Sequence, residues 1–419
     1  MASLSQPGWA RSARAGVLVV LLALVAAQAA LAAGTVSFWT QNAATPEVLE
    51  ALASFTEETG IAVDVRAIGW GLEELLVAHV GGASPDVWTH GGAALGALAE
   101  QGLMLPLDDW IERWEYGDDV APQAYETNRY RGQVLAMPWR GIAVGAMPYR
   151  ADFFAEAGFD PGAPPQTWDE LVEFGRRLVR RNENGSIQRA GFNVTDGGWS
   201  PSFWFRLLTV QAGIDVFRDS AHSLTDDRIA RAVEFYADLF LTHRLNDRGF
   251  SGNVATGTAA MGAHPLGGGV LSLIDLHLES GGSSDNIRFS LYPHLGTPQA
   301  ILTGDFIAVS AGTPNRVEAL ALLEHLVEPA QHEKLTRVFG GIPIYRQAVG
   351  WDWVVERPQV NTLMQLMFEY GSASAPHPRF FELRQVQNDV MVAALSGSMA
   401  PRVALESYAS EYRIAWHGE

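Results

Sequence analysis

The chain has 419 residues, no cysteine, and 47 acidic against 29 basic residues, a formal charge of −18 at pH 7. That length is enough for two or three domains, and the missing cysteine excludes disulfides and thiol nucleophiles. The acidic balance argues against nucleic acid, which is bound by releasing counterions to a basic surface.

Arg11 and Arg14 precede an apolar run at 17–27, and Ala30-Leu31-Ala32 is a small-x-small cleavage site. That order reads as a secretory signal peptide over residues 1–32, the run being short of the roughly 20 residues a membrane span needs. Its removal takes the formal charge to −20, because 47 acids then face 27 basic residues. No cysteine stands at the cleavage point to take a lipid, so a free periplasmic protein is expected.

Thr35-Val36-Ser37-Phe38-Trp39-Thr40 is a β-rich run, followed by Gln41-Asn42 and a helical pattern over 46–58 that Gly60 ends. Residues 61–68 alternate as a second strand, and a second helix is expected over 72–80. Asp86-Val87-Trp88 is a short third strand, with Thr89-His90-Gly91-Gly92 leading into a helix over 93–101. Strand and helix alternating in this way predict an α/β fold with a mainly parallel sheet. Ligands in such sheets collect at the carboxyl ends of the strands, and those ends carry Trp39, Trp70 and Trp88. Trp110 and Trp114 lie on a helix and read as core.

The stretch 132–149 contains two short apolar runs, 134–137 and 142–147, each expected to stop at a proline. Between them sit Trp139 and Arg140, a flat apolar plate and a fork of donors. Thr167-Trp168-Asp169-Glu170 is a capping box for a helix expected to reach Arg181, and Asn182-Glu183-Asn184-Gly185 is a turn. Beyond it, Gly191-Phe192-Asn193 reads as a strand, Trp199 falls on a glycine-rich loop, and Trp204 opens a helix. An amphipathic helix is expected over 226–244. His264-Pro265-Leu266-Gly267-Gly268-Gly269 lacks the Lys-Ser/Thr of a phosphate loop; its glycines either admit a ligand to the backbone or start the next helix. A strand over 304–310 and a helix over 316–327 follow, with a break at Gly340-Gly341-Ile342-Pro343.

Reactive groups at useful spacing are missing. His332-Glu333 has no second histidine for a zinc helix, no Gly-x-Ser-x-Gly elbow occurs, and the eleven histidines do not cluster. Asp108-Asp109 and Asp226-Asp227 stand at expected helix starts, where carboxylates favour the helix dipole. Neither a metal nor a cofactor is called for, and the chain reads as a binding protein and not an enzyme.

The ordered set of segments resembles the extracellular solute-binding proteins of ATP-driven importers, in the maltose-binding-like group. The resemblance runs through Pro85-Asp86-Val87 with 95–107, Gly132-Gln133-Val134-Leu135-Ala136-Met137-Pro138, 149–160 before Pro165-Gln166-Thr167-Trp168-Asp169-Glu170-Leu171, 304–310 with 318–326, and Gly340-Gly341-Ile342-Pro343. It departs at Arg150, where the family usually has asparagine, and at Asp305, where a second glycine or an aromatic is common. The resemblance implies a two-lobed periplasmic binding protein fold, each lobe a mainly parallel sheet flanked by helices, joined by a hinge the chain crosses several times. The implied lobes are 34–144 with 304–345, and 145–303 with 346–419.

A sugar stacks its C–H face on an aromatic ring while its hydroxyls meet planar polar groups. Trp39, Trp70, Trp88, Trp139, Trp199 and Trp204 are the candidate faces. Gln41, Asn42, His90, Arg140 and Asp305 are the candidate edges, with Gly267 for close backbone approach. The expected ligand is an oligosaccharide or glycoside, delivered by a monomer to the membrane permease subunits. A polyamine or a glycerol-phosphate-type solute, or a secreted carbohydrate-active enzyme, are the alternatives. Trp139 is expected on a cleft edge, where its loss weakens binding and spares the fold.

Overall fold

A computed structural model describes residues 34–194, 198, 200–218, 224–262 and 270–418. In chain order, β1 (Thr35–Thr40), β2 (Ala62–Ala67) and β3 (Val87–Gly91) alternate with the helices Pro46–Thr59 and Glu73–Val80. A hairpin of β4 (Arg129–Tyr130) and β5 (Gln133–Val134) leads to β6 (Met137–Pro138), β7 (Ala143–Val144) and β8 (Met147–Arg150). Then come β9 (Arg180–Arg181), β10 (Ile187–Asn193), β11 (Ala259–Gly262), β12 (Ile287–Ser290), β13 (Ala300–Thr303), β14 (Asp305–Val309) and β15 (Gly371–Ala373).

The first sheet has the order β2-β1-β3-β14-β6. Its β1–β2 and β1–β3 pairs are parallel, and β14 returns antiparallel to β3 and β6. Val36, Phe38 and Thr40 point into a core closed by Val48, Leu52 and Phe55 of the helix Pro46–Thr59, as the alternation of a strand and the apolar stripe of a helix require. Asp86 ties this sheet together from inside, accepting from Ser37 N (2.8 Å), Ser37 Oγ (2.7 Å) and Asn315 Nδ2 (3.3 Å). Burial pushes its pKa up, but these bonds and one from Thr313 outweigh it and leave the carboxyl below its ordinary value.

The second sheet, β12-β8-β11-β10-β9, is parallel only at β10–β11. Mainly parallel order is therefore a property of the first sheet's opening strands and does not extend to the second. A third sheet, β15-β13-β7, pairs Leu302 with Val144 and Thr303 with Ala143, and runs β15 alongside β13.

Of the two prolines, only the first ends its strand. Pro138 is the last residue of β6, an edge strand, where its missing N–H costs no ladder bond on the outer side. Pro148 lies inside β8 opposite Phe289. The capping box forms, Glu170 N donating to Thr167 Oγ1 at 3.2 Å, but its helix, Trp168–Leu178, stops short of Arg181. Arg180 and Arg181 turn back as β9, which pairs with β10 as an antiparallel hairpin.

Ile142 pairs with Ile342, so the chain after β6 crosses the break that follows the helix Pro329–Phe339. The two strands meet through glycines: a Cβ on Gly341 would stand 2.2 Å from the carbonyl oxygen of Arg140. Gly141 has φ +85°, the left-handed region open to glycine. The helices Phe380–Leu395 and Pro401–His417 pack together and against Ser200–Gln211 and Asp227–Leu241.

Candidate functional site

One end of the first sheet gathers what the sequence scatters. Asp305 begins β14 opposite Gly91, and Phe306 lies opposite His90. Trp139 N donates to the Asp305 carbonyl at 2.9 Å, which puts Arg140 beside Asp305. Trp70, just beyond β2, reaches the same place: its ring lies edge-on to His90, centroids 6.1 Å apart at 84°. Trp70, His90, Arg140 and Asp305 thus form one cluster, in which Gly91 keeps the middle open, its absent Cβ falling 3.6 Å from Asp305 Oδ1 and 3.7 Å from the Trp70 ring.

Within the cluster Trp70 is the exposed aromatic, 55% accessible. Arg140 Nε donates to Asp305 Oδ2 at 2.8 Å and Nη2 donates to the same oxygen, so Oδ1 stays on the Gly91 side. The guanidinium is held from behind by the Phe339 ring at 4.5 Å. His90 is buried, and its Nδ1 accepts from Gly91 N at 2.9 Å. Burial lowers its pKa, against the opposing pull of the Gly71 and Gly91 backbone and the Asp305 charge, so the imidazole is neutral at neutral pH.

The other expected residues divide. Gln41 is committed to the scaffold, donating to the carbonyls of Gly69 (3.3 Å) and Thr89 (3.2 Å) while accepting from Thr89 Oγ1 (2.9 Å). Asn42 Oδ1 accepts from Trp139 Nε1 at 3.4 Å. Trp39 is half-buried on a sheet face, with the Arg66 guanidinium 4.4 Å over its ring.

Three tryptophans offer no face. Trp88 is buried against Phe306 with Nε1 on Ser310 Oγ at 3.1 Å. Trp139 is fully buried, edge-on to Phe38 at 5.7 Å, while the next residue, Arg140, stays half-buried with its guanidinium on Asp305. Trp204 is buried among Phe192 and Tyr292 at 5.5 and 5.1 Å. An indole closed off by its own fold cannot stack on a solute, so the cleft-edge reading of Trp139 is corrected to a core residue. Trp199 and Gly267 lie outside the described residues.

Gly91 and Phe339 were not singled out by the sequence. The doublet Gly91-Gly92 after a strand was the available signal for the first; Phe339 is brought under Arg140 by the crossing at Gly341, which has no local signature. Arg384 belongs to the helix Phe380–Leu395, which packs against the turn Gly92–Ala94 next to the cluster, and burial lowers its pKa to about 10. The backbone of His377 lies over Gly96, where a Cβ would come within 2.4 Å of it.

Among the described residues no group of three or more His, Asp or Glu side chains is placed to hold a metal ion, and no helix is long and apolar enough to cross a membrane. The acidic pairs serve helices and ion pairs: Asp108 accepts from Val134 N at 3.1 Å, Asp226 caps its helix, and Asp227 pairs with Arg402 at 2.8 Å.

The family model of bacterial extracellular solute-binding proteins matches residues 38–333. Among curated proteins, an osmoprotective compounds-binding protein of Synechocystis is 22% identical over 312 residues, covering 68% of this chain and 70% of the relative. A maltotriose-binding protein of Pyrococcus abyssi is 36% identical over 105 residues, 24% of this chain and 20% of its own length. Of solved structures, the sugar-binding protein MalE of Xanthomonas citri superposes with a TM-score of 0.77 at 19% identity, over 92% of this chain and 98% of that one. An ABC transporter solute-binding protein of Thermotoga lettingae bound with α-D-tagatose gives 0.73 at 20% identity, over 92% and 100%.

Proposed function

We propose that this chain, which belongs to the bacterial extracellular solute-binding proteins, is the substrate-binding component of an ABC transporter that captures a carbohydrate, an oligosaccharide or glycoside, and passes it to the membrane permease subunits. The observation that carries the reading is Trp70: an indole more than half exposed at a strand end, beside the neutral His90 and the Arg140–Asp305 pair. A sugar laid on that ring finds an apolar plate under its C–H face and both donors and acceptors at its edge. The cluster's formal charges cancel within the Arg140–Asp305 pair, which favours an uncharged solute over a polyamine or a phosphodiester.

In this reading the protein is exported, its signal peptide is removed near residue 32, and it works free in the periplasm as a monomer without catalysing a reaction. The lobes are 34–144 with 304–345, and 145–303 with 346–419; the β7–β13 pairing at 143–144 with 302–303 supports the first two crossings. Binding draws the lobes together because the closed arrangement gives the solute contacts the open one lacks.

Titration calorimetry against a panel of neutral oligosaccharides tests the reading. Saturable binding that Trp70→Ala weakens tenfold or more is the expected result. Binding to none of them, with binding to spermidine or a glycerophosphodiester instead, refutes it.

A further inference from the structure

Apart from the strand-end cluster, and sharing no residue with it, a cavity of ≈ 440 Å³ lies where four segments meet: the helix Pro122–Glu126, the chain at 210–218, Gln299 at the approach to β13, and the strand β15. We propose that this cavity is a second ligand site, built for a small uncharged molecule rich in hydroxyl groups.

The lining states the chemistry. Gln299 Oε1 is buried there and takes no hydrogen bond from any described residue. An amide oxygen only accepts, so it calls for an O–H or N–H donor. Gln123 spends its amide donor on the Phe368 carbonyl at 2.7 Å, which leaves its oxygen as the end free to accept as well. Ser372 adds a hydroxyl that accepts or donates.

Charge points the same way. Glu126 Oε1 accepts from Arg129 Nε at 2.7 Å, and Asp215 pairs with Arg218 at 3.1 Å. Each carboxylate in the wall therefore has its own arginine, and a charged ligand would meet no unanswered partner. Val210, Ile214 and Ala373 supply the apolar part of the wall, which suits the C–H face of a polyol. The size falls within the roughly 300 to 1,000 Å³ typical of small-molecule pockets. Because the lining is divided among four segments, one of them the strand β15 paired with β13, the site exists in the arrangement of segments seen here.

The test is calorimetric titration of the full mature chain with millimolar D-sorbitol. The expected result is a binding event that Gln299→Leu weakens at least tenfold and that persists in Trp70→Ala. Ser372→Phe, which fills the cavity, gives the same loss if Gln299→Leu only repacks locally; circular dichroism confirms that each variant is folded. The inference is overturned if sorbitol produces no heat, if Trp70→Ala abolishes its binding while both cavity variants leave it intact, or if the cavity variants instead lose binding of spermidine or inorganic phosphate. Failure of the carbohydrate reading is separate from this, since it is read from oligosaccharide binding in the Trp70→Ala variant.

Discussion

Trp70 and Trp139 lie close to the same salt bridge, yet one is more than half exposed and the other is sealed. The difference is what encloses each ring. Trp139 leads into the sheet core against Phe38, and its neighbour Arg140 faces outward to Asp305; Trp70 follows a strand end, beyond the alternation that fixes β2. An aromatic residue near a site is thus a poor marker of contact until its burial is known. Trp204, in the helix Ser200–Gln211, is likewise enclosed, by Phe192, Tyr236 and Tyr292.

The contrast breaks most visibly on truncation of the sealed rings. Trp139→Ala and Trp204→Ala are each expected to lower stability by about 3–5 kcal/mol, the usual cost of emptying an aromatic core position, measured by urea unfolding of the unliganded chain. A loss below about 1 kcal/mol at Trp139 would restore it as a cleft residue.

Next in size is the pair beside it. Asp305→Ala leaves the half-buried Arg140 without its acceptor, at an expected cost of about 1–3 kcal/mol, and a double-mutant cycle with Arg140→Ala should recover a coupling of about 0.5–3 kcal/mol. Additivity of the two substitutions would show that the two side chains do not act together.

A third effect comes from a buried histidine. His332 is fully buried beside Tyr345, and burial lowers its pKa to about 3. The unfolded chain binds this proton near pH 6.5 and the folded one does not, so its contribution is complete above pH 6.5. Below that, stability falls by about 1.4 kcal/mol per pH unit until the folded pKa is reached. Unfolding measured between pH 7 and 5 should therefore show a shallower acid slope in His332→Gln than in the parent; equal slopes would assign the proton uptake elsewhere.

The smallest expected change in stability is at Trp70. Trp70→Ala should shift it by no more than about 0.5 kcal/mol, as exposed substitutions do, while ligand affinity drops tenfold or more. Equal losses in both measurements would make Trp70 a packing residue like the others.

Much of the architecture was legible. The alternation of β1, β2 and β3 with helices, the capping box at Thr167 and Glu170, and the glycine stop at Gly60 follow from local periodicity and end chemistry, which a single chain displays. Long-range pairing was less so: β9 looked helical because Arg180 and Arg181 continue a helical pattern, and only its antiparallel partner β10 makes them a strand. The site shows the same division. His90, Arg140 and Asp305 could be named from strand ends, but their convergence depends on β14 returning beside β3, and Phe339 enters through a crossing at residues 141 and 341 that leaves no local trace. Gln41 and Asn42 have the right chemistry in the right place, and their hydrogen bonds are turned inward to hold the sheet.

The glycine crossing has a mechanical consequence. With no side chains between the backbones, the segment carrying Arg140 and the turn after Phe339 form a riveted joint, its pins the hydrogen bonds that Ile142 N and Ile342 N each donate to the other's carbonyl, at 2.9 and 2.8 Å. The Arg140 guanidinium, lying over the Phe339 ring, is thereby tied to the end of the helix Pro329–Phe339. Lengthening either strand of the joint by one residue would detune Arg140 from Asp305 without touching either side chain.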